Sequence, residues 1–149
     1  MDSKTEKARS ENMKRIRSKD TKPEKMVRSL LFRLGYRFRL HRKDLPGRPD
    51  IVMPSRKIAI FVQGCFWHQH LNCTRAVLPK SHQDYWHVKL NKNIQRDIRT
   101  RDELTQLGWR VLWIWECALK NKESRASLPE EISKWIESAI QFGEIPNIN

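Results

Sequence analysis

The sequence predicts one α/β domain, in which helices pack against a sheet. Two apolar runs, residues 57–62 and 109–115, have the length and the β-branched and aromatic content of buried strands. Between them, over residues 83–107, apolar side chains recur at helical spacing, and the run ends at Gly108. A chain of 149 residues suits a single domain with a core of ordinary size. The sequence contains no internal repeat, so we do not expect a second folded unit.

The composition is strongly basic. The 30 Lys and Arg residues outnumber the 17 Asp and Glu residues, which gives a formal net charge of +13 and a pI near 10.1. This charge favours a polyanionic partner, nucleic acid foremost. A membrane-surface protein is the alternative, but no apolar run approaches the roughly 18 residues of a spanning helix, and we expect no signal peptide. Three cysteines, an odd number, favour a reducing compartment over a secreted disulfide framework.

The charge pattern divides the chain into three parts. Residues 1–20 are predicted to form a basic N-terminal arm, residues 21–142 the domain, and residues 143–149 a C-terminal tail. The arm is either a solvated tail or a segment that lies along a nucleic-acid backbone. Met13 is among its few apolar side chains and can enter a groove, as the apolar wedges of minor-groove binders do.

The first helix is predicted to begin after Thr21, with Pro23 in its first turn and Glu24 three residues after the cap. It ends at Gly35. Glu24 therefore has a structural explanation in the cap and the helix dipole, before any role in a site is considered. Alternation of apolar and polar side chains then predicts a half-exposed strand over residues 36–40.

A β-hairpin is predicted over residues 50–62, with its turn at residues 54–56. The hairpin places Asp50, at the start of its first strand, beside the main-chain carbonyl of Val62 or Gln63. A carboxylate in such a position suits Mg²⁺, which prefers oxygen ligands and needs only one or two carboxylates. The structural alternative for Asp50 is a turn-forming residue.

The helix over residues 83–107 is predicted to be capped by Ser81, and a terminal amphipathic helix is predicted over residues 129–142. Lys89 and Asn93 lie one turn apart on the first of these helices. Such a pair can reach one base pair from a helix laid against DNA. A charged outer face is equally normal on any helix, so both interpretations stay open.

Metal-ligating residues concentrate directly after the strand at 57–62. Cys65, His70 and Cys73 lie close together in sequence, and Cys117, the only other cysteine, follows the second apolar strand. Thiolate and neutral imidazole are the preferred zinc ligands, and four protein ligands make a structural site without an open position. The alternative is a set of free buried cysteines, which are common.

Three further residues stand inside this cluster. His68 is not needed as a ligand and, with an ordinary pKa of ~6.5, can accept a proton near neutral pH. Its structural alternative is a polar residue that closes a loop. Phe66 and Trp67 precede it, at a position where a core has little reason to need two adjacent aromatic side chains.

These motifs resemble the very short patch repair (Vsr) mismatch endonucleases. The likeness rests on Pro49-Asp50 before one strand and on the run Val-Gln-Gly-Cys-Phe-Trp-His at residues 62–68 after the next, and it extends over about residues 8–120. The resemblance implies a fold similar to the PD-(D/E)XK restriction endonucleases, a mixed central sheet flanked by helices, with a structural zinc. Two departures are Gln63, where the family often has histidine, and residues 71–72, which lengthen the spacing before Cys73.

Carried over residue by residue, the resemblance implies a catalytic set and two groups of binding residues. Asp50 becomes the Mg²⁺ ligand with the carbonyl of Val62, His68 the base or water-orienting residue, and Glu24 a residue that holds metal-bound water. The implied zinc ligands are Cys65, His70, Cys73 and Cys117. The implied DNA contacts are Phe66 and Trp67 as an aromatic wedge, Met13 from the other groove, and Lys89, Asn93 and Arg96.

The activity implied is a nick in one strand, 5′ to the thymine of a T·G mispair left by deamination of 5-methylcytosine. The implied partners are double-stranded DNA and, functionally, a cytosine-5 DNA methyltransferase, and we expect a cytoplasmic monomer. Two other functions stay open from the sequence. One is a restriction-type nuclease of the same fold without mismatch preference, and the other is a non-catalytic, zinc-stabilised DNA-binding protein.

Overall fold

The computed structural model describes residues 20–147, so Met13 and most of the predicted arm lie outside the described residues. A five-stranded mixed sheet, in the order β1-β2-β3-β4-β5, forms the centre. The strands are β1 (Arg39–Leu40), β2 (Ile51–Met53), β3 (Ile58–Gln63), β4 (Arg110–Trp115) and β5 (Phe142–Ile145). The α-helices are α1 (Lys22–Arg33), α2 (Gln83–Gln106), α3 (Cys117–Lys120) and α4 (Lys122–Ile136), and two short 3₁₀ turns cover Pro54–Arg56 and Thr74–Ala76. The predicted α/β domain with a mixed sheet flanked by helices is confirmed.

The pairing of β3 with β4 determines where the functional residues meet. β1, β2 and β3 are antiparallel neighbours, whereas β3 and β4 run parallel, from Ile58 opposite Arg110 to Gln63 opposite Trp115. The connection between these two parallel strands contains α2. Because both strands end at the same edge, the residues that follow Gln63 and Trp115 lie side by side.

Each face of the sheet is covered by helices. One core joins α1, α3 and α4 to the sheet, with Leu31, Leu112 and Ile132 fully buried within it. The opposite face packs Ala59 and Val111 against Leu104 of α2. The two central strands are therefore buried on both faces, which explains their nearly continuous apolar sequence.

The start of α1 agrees with the prediction. The Thr21 hydroxyl oxygen accepts from the Glu24 amide at 3.4 Å and donates to Glu24 Oε2 at 3.1 Å, so cap and acid pair as expected, although Glu24 accepts from the Asp20 amide and not from that of Thr21. The predicted strand over residues 36–40 is too long, since only Arg39–Leu40 is a strand. Tyr36 instead closes the helix, because its amide donates to the carbonyl of Leu31 at 3.1 Å.

The helix α2 ends as predicted but begins differently. Gly108, with φ of 88°, follows its last turn. Ser81 is not the cap, since His82 occupies that position in the left-handed region, with φ of 57° and no capping hydrogen bond from its side chain. The prediction of Ser81 as cap is therefore wrong: the cap lies one residue later, and its side chain makes no capping hydrogen bond.

The C-terminal predictions are wrong in their boundaries. The last helix is Lys122–Ile136, not 129–142, because Asn121 Oδ1 accepts from the amides of Glu123 and Ser124 and starts the helix before Pro129. The segment predicted as a tail from residue 143 lies partly in β5, Phe142–Ile145, which pairs in parallel with β4.

Arg110 explains why α4 stops where it does. Its guanidinium donates to the carbonyls of Trp135, Ile136 and Ile140 at 2.8 to 3.0 Å, so it satisfies the end of the helix from the neighbouring strand. Within residues 20–147, none of the helices has the length and apolar character needed to cross a bilayer.

Candidate active site and metal cluster

A cleft of about 790 Å³ opens at the edge where β3 ends. All four residues predicted to form the catalytic set line it, together with both predicted wedge residues. These lining residues are Glu24, Asp50, Val62, His68, Phe66 and Trp67. The hairpin, the first turn of α1 and the loop after β3 therefore converge on one cavity.

Asp50 lies at the entrance to β2 and faces the end of β3. Its Oδ2 accepts a hydrogen bond from the Val62 amide at 2.7 Å. The predicted proximity of Asp50 to Val62 is confirmed, although this contact is to the amide and not to the carbonyl. Burial, and next the negative charge of Glu24, raise the pKa of Asp50 to about 7, while the Val62 hydrogen bond opposes the rise. A cation beside this carboxylate would relieve both effects, so its environment fits Mg²⁺.

Glu24 is only 5% exposed, and both of its carboxylate oxygens have partners. In addition to the Thr21 contact, Oε1 accepts from the Asp20 amide and from Arg28 Nη2, each at 3.3 Å. The structural explanation of Glu24 as part of a helix cap is therefore correct. The same side chain also forms a wall of the cleft and repels charge on Asp50, so cap and site share one residue.

His68 reaches the cleft from the loop after β3 and pairs with an acid on α2. Its Nδ1 lies 2.6 Å from Asp97 Oδ2, and both side chains are mostly buried. When Nδ1 donates to the carboxylate, Nε2 keeps its lone pair and can accept a proton. His68 and Asp97 thus form the dyad that a general base requires.

A second cluster lies behind this loop, where β4 ends. The ligand atoms of Cys65, His70, Cys73 and Cys117 all lie within 4.8 Å of one another. His70 Nδ1 is 3.8 Å from Cys65 Sγ and 3.5 Å from Cys117 Sγ. The sequence prediction that the ends of β3 and β4 bring these four residues together is confirmed.

The chemistry of this donor set fits a divalent metal such as zinc. Three thiols and one imidazole are the ligands of a closed tetrahedral zinc site. Burial raises the pKa of the Cys65 and Cys117 thiols and lowers the pKa of His70. Burial alone therefore disfavours the thiolates, and a bound cation would stabilise them. The indole of Trp115 stacks on the His70 ring at 4.2 Å, which fixes the plane of the imidazole.

The lengthened spacing before Cys73 is accommodated by a bulge. Leu71 is 74% exposed, and Asn72 has φ of 57°, a left-handed conformation that asparagine tolerates better than most residues. The additional length therefore projects outward, and His70 and Cys73 still face Cys117.

The predicted wedge residues pack inward in this structure. Trp67 is 5% exposed and lies edge-on to Trp86 of α2, with ring centroids 6.4 Å apart. Phe66 is half-buried and contacts the same indole at 5.5 Å. A hydrophobic cluster of Trp67, Trp86 and Leu90 thus packs under the loop.

The three residues of α2 that were predicted to contact DNA instead contact Trp67, in the loop after β3, or one another. Asn93 is buried and its Nδ2 donates to the Trp67 carbonyl at 3.2 Å, while Arg96 Nη2 donates to Asn93 Oδ1. Lys89 Nζ lies 5.5 Å from the centroid of the Trp67 ring. In this structure these side chains hold the aromatic loop, and Asn93 is not on the surface.

Comparison with known proteins adds to this geometry. The family model described as DNA mismatch endonuclease Vsr matches residues 1–75. The DNA mismatch endonuclease Vsr of Escherichia coli (strain K12) is 43% identical over 130 residues, which cover 86% of this chain and 83% of that protein. The chain belongs to the Vsr DNA mismatch endonuclease family.

Other relatives of this Vsr family member are named as nicking enzymes. Type II nicking enzyme V.XorIIP of Xanthomonas oryzae pv. oryzae is 57% identical over 109 residues, 73% of this chain and 79% of the relative. Type II nicking enzyme V.NmeAIP of Neisseria meningitidis serogroup A is 46% identical over 74% of this chain and 78% of its own. The Vsr family assignment makes this protein an endonuclease, a hydrolase of nucleic acid, and it confirms the resemblance found in the sequence.

The sequence analysis of this Vsr protein missed Asp97. The residue lies within the stretch of residues 8–120 over which the resemblance extends, yet no role was assigned to it. A signal was available, because Asp97 lies one turn after Asn93 and is an acid on a helix face rich in Lys and Arg. Its partner His68 is 29 positions away, so only the fold reveals the pair.

Proposed function

We propose that this enzyme is a Mg²⁺-dependent mismatch endonuclease that nicks one strand of double-stranded DNA, 5′ to the thymine of a T·G mispair. The observation that carries the proposal is the convergence of partly buried Asp50 and of His68, which is paired with Asp97, on a single cleft of a highly basic domain. An oxygen-donor site beside a general base is the equipment for metal-assisted phosphodiester hydrolysis.

In this proposal Asp50 holds Mg²⁺ with the main-chain carbonyl of Val62. The ion supplies Lewis acidity to the phosphodiester and lowers the pKa of bound water. His68 accepts the proton of the attacking water at Nε2, and Asp97 keeps the imidazole in the required tautomer. Glu24 lines the same cleft, and in this proposal its carboxylate holds a water bound to the metal. Gln63 lines the same cleft and cannot relay a proton, so His68 is the sole histidine in that role.

The Cys65, His70, Cys73 and Cys117 cluster is proposed to hold a structural zinc that braces the loop carrying His68. The fold is accordingly proposed to be of the PD-(D/E)XK restriction-endonuclease type, which the mixed sheet with helices on both faces supports. A closed zinc site would stabilise the loop without taking part in the reaction.

Recognition of the mismatch is proposed to use Phe66 and Trp67 as a wedge, with Met13 from the opposite groove. A mispair stacks and pairs poorly, so unstacking there costs less than the few kcal/mol estimated for a Watson–Crick step. Because Trp67 is packed against Trp86, insertion requires the aromatic loop to leave its cluster. Lys89, Asn93 and Arg96, which contact Trp67 or one another, are placed to act on that movement.

The substrate is proposed to arise by deamination of 5-methylcytosine, which makes a cytosine-5 DNA methyltransferase a functional partner. The enzyme is proposed to act as a monomer in the cytoplasm. Two relatives named as nicking enzymes support cleavage of a single strand.

The decisive experiment incubates the zinc-loaded protein with Mg²⁺ and a panel of labelled duplexes that differ only at one base pair. We expect a nick in the thymine strand of the T·G duplex and at least about tenfold slower cleavage of the T·A duplex. Equal cleavage of both would indicate a restriction-type nuclease without mismatch preference. Tight DNA binding without cleavage in any divalent metal would indicate a non-catalytic DNA-binding protein.

A further inference from the structure

A charged cluster adjoins the cleft beside Glu24, and none of the roles described so far uses it. Arg28, one turn after Glu24 on α1, lies at its centre with its side chain 15% exposed. Its Nη2 is 2.7 Å from Asp20 Oδ1, 3.3 Å from Glu24 Oε1 and 3.2 Å from His41 Nε2. His41 Nε2 also lies 3.0 Å from Asp20 Oδ1. One guanidinium therefore touches three different side chains at the rim of the site.

Arg28 makes all three contacts through Nη2, while its buried Nε has no hydrogen-bond partner among the described residues. A guanidinium stays charged, only donates, and presents its donors in a rigid plane, so it orients the carboxylates that it contacts. Asp20 and His41 both line the cleft, and the Asp20 carboxylate pairs with both Arg28 Nη2 and His41 Nε2. Glu24, whose side chain is 6% exposed, depends on it for charge compensation inside the protein.

The backbone at His41 supports a functional role. His41 has φ of 52°, a left-handed conformation that residues with a side chain adopt uncommonly. Strain of this kind persists where the surrounding structure enforces it, and it concentrates at functional sites. Here the strained residue directs its ring to Arg28 and Asp20, in the wall of the cleft.

We propose that Arg28 is a positioning residue of the active site, which, held by Asp20 and His41, fixes the Glu24 carboxylate in the orientation that Asp50 and its metal ion require. The inference rests on the proposed metal-dependent function. In this proposal Arg28 acts mainly through Glu24, because its direct charge effect on the pKa of Asp50 is the weakest of those that act on that carboxyl. The positive charges of His41 and Arg28 both act to lower the pKa of Asp50, which agrees with their closeness to the pair of carboxylates.

The test compares Arg28→Met and Arg28→Lys with Arg33→Met, a matched control on the exposed end of the same helix. Isothermal titration of Mn²⁺ into the zinc-loaded protein, without DNA, measures metal binding at the cleft. We expect Arg28→Met to weaken Mn²⁺ binding about fivefold or more, Arg28→Lys to restore part of it, and Arg33→Met to match the parent protein. The titration is run at about pH 8.5, above the pKa of Asp50, where loss of a nearby positive charge alone would tighten cation binding, so weaker binding indicates a misplaced Glu24 carboxylate.

A double variant identifies the route of the effect. We expect Arg28→Met to slow nicking of a T·G duplex by about 10- to 100-fold, and Glu24→Gln combined with Arg28→Met to be no slower than Glu24→Gln alone. Residues that act through one another show this lack of additivity, whereas independent ones add. Thermal unfolding of each variant separates these losses from misfolding.

Several outcomes would overturn the inference. Unchanged or tighter Mn²⁺ binding in Arg28→Met, additive rates in the double variant, or equal effects of Arg33→Met would each reduce Arg28 to a structural ion pair. Failure of the parent protein to cut any duplex would instead refute the proposed function. The Mn²⁺ titration still distinguishes the two, because it does not depend on cleavage.

Discussion

The cleft and the Cys/His cluster lie on the same edge of the sheet, but the cluster is closed by its own side chains whereas the cleft is open. In the cluster, four protein ligands gather within 4.8 Å, which is enough to saturate a tetrahedral ion. In the cleft, Asp50 and His68 face about 790 Å³ of open space that a substrate and waters can enter. His68 is only three positions from Cys65, so a metal held by the cluster would anchor the loop that carries His68. The comparison shows how the number of protein ligands distinguishes the two sites. Four ligands would leave a metal no open position in the cluster, whereas the few polar groups of the cleft leave room for a substrate.

The largest effect is expected from a change at Asp50, which alters the cleft and leaves the Cys/His cluster intact. We expect Asp50→Asn to slow nicking on the order of 10⁴-fold, about 5.5 kcal/mol of activation free energy, because the metal loses its carboxylate. Single-turnover cleavage of a T·G duplex measures the rate, and a gel-shift titration verifies that DNA binding persists. A rate within tenfold of the parent protein would remove Asp50 from the site.

The complementary change breaks the closed site. We expect Cys117→Ser to lose its bound zinc and about 5 kcal/mol of folding free energy, which lowers the melting temperature by roughly 10–20 °C. Metal analysis and thermal unfolding measure the two effects. Asp50→Asn is the control, because it should keep one zinc per chain and should melt no lower than the parent protein. Retention of full stability by the zinc-free variant would contradict a bracing role.

The open site should also be visible in the pH dependence of stability. The pKa of Asp50 is about 7 in the folded protein, against about 3.9 in an unfolded chain. Between these values the folded state holds a proton that the unfolded state has lost, so stability is full below pH ~4 and falls as the pH rises to ~7. Each tenfold difference in proton affinity is worth about 1.4 kcal/mol, so a pKa difference of about 3 corresponds to a full loss on the order of 4 kcal/mol.

Chemical denaturation in Mg²⁺-free buffer at pH 5 and pH 8 measures this loss. Asp50→Asn should lack it and should exceed the parent protein in stability at pH 8. An identical pH dependence in the two proteins would show that Asp50 ionises normally.

A smaller effect on the nicking rate is expected from changing Asp97, the partner of His68. We expect Asp97→Asn to slow nicking about 100-fold, because His68 loses the partner that fixes its tautomer. Asp102→Asn, on the exposed face of the same helix, is the matched control and should cut at the normal rate. The comparison uses cleavage rates at saturating Mg²⁺, and equal rates for both variants would make Asp97 a structural acid.

The smallest expected effect concerns discrimination between duplexes. We expect Phe66→Ala to lower the preference for T·G over T·A about tenfold, with a modest loss of stability because the ring is only half-buried. Leu71→Ala removes an exposed apolar side chain from the same loop and should change nothing. The ratio of cleavage rates on the two duplexes provides the measurement, and an unaltered ratio would exclude Phe66 from the wedge.

Local signals predicted the parts of the fold that local physics determines. The cap at Thr21, the turn between β2 and β3 and the glycine after α2 each involve neighbours in sequence. The errors near the C-terminus have a non-local origin. Arg110 ends α4 from a neighbouring strand, and Phe142–Ile145 becomes a strand only because β4 offers an edge.

The same division holds for the site. Residue chemistry and strand order brought Asp50, His68 and the four metal-competent residues together in the prediction. The partner of His68 and the burial of Trp67 depend on how α2 crosses the loop, which no motif states. Asn93 illustrates the limit, because its position on an apparent outer face gave no sign that its amide would reach the Trp67 carbonyl.

The parallel pairing of β3 and β4 also has a consequence for synthesis on the ribosome. Cys65, His70 and Cys73 are translated early, whereas Cys117 follows only after the whole of α2 and β4. A nascent chain that stops before Cys117 offers three ligands, and a zinc held by three ligands keeps a water-bearing, exchangeable position. Secure metal retention and completion of the central strands therefore coincide, late in translation, and truncated products lack both.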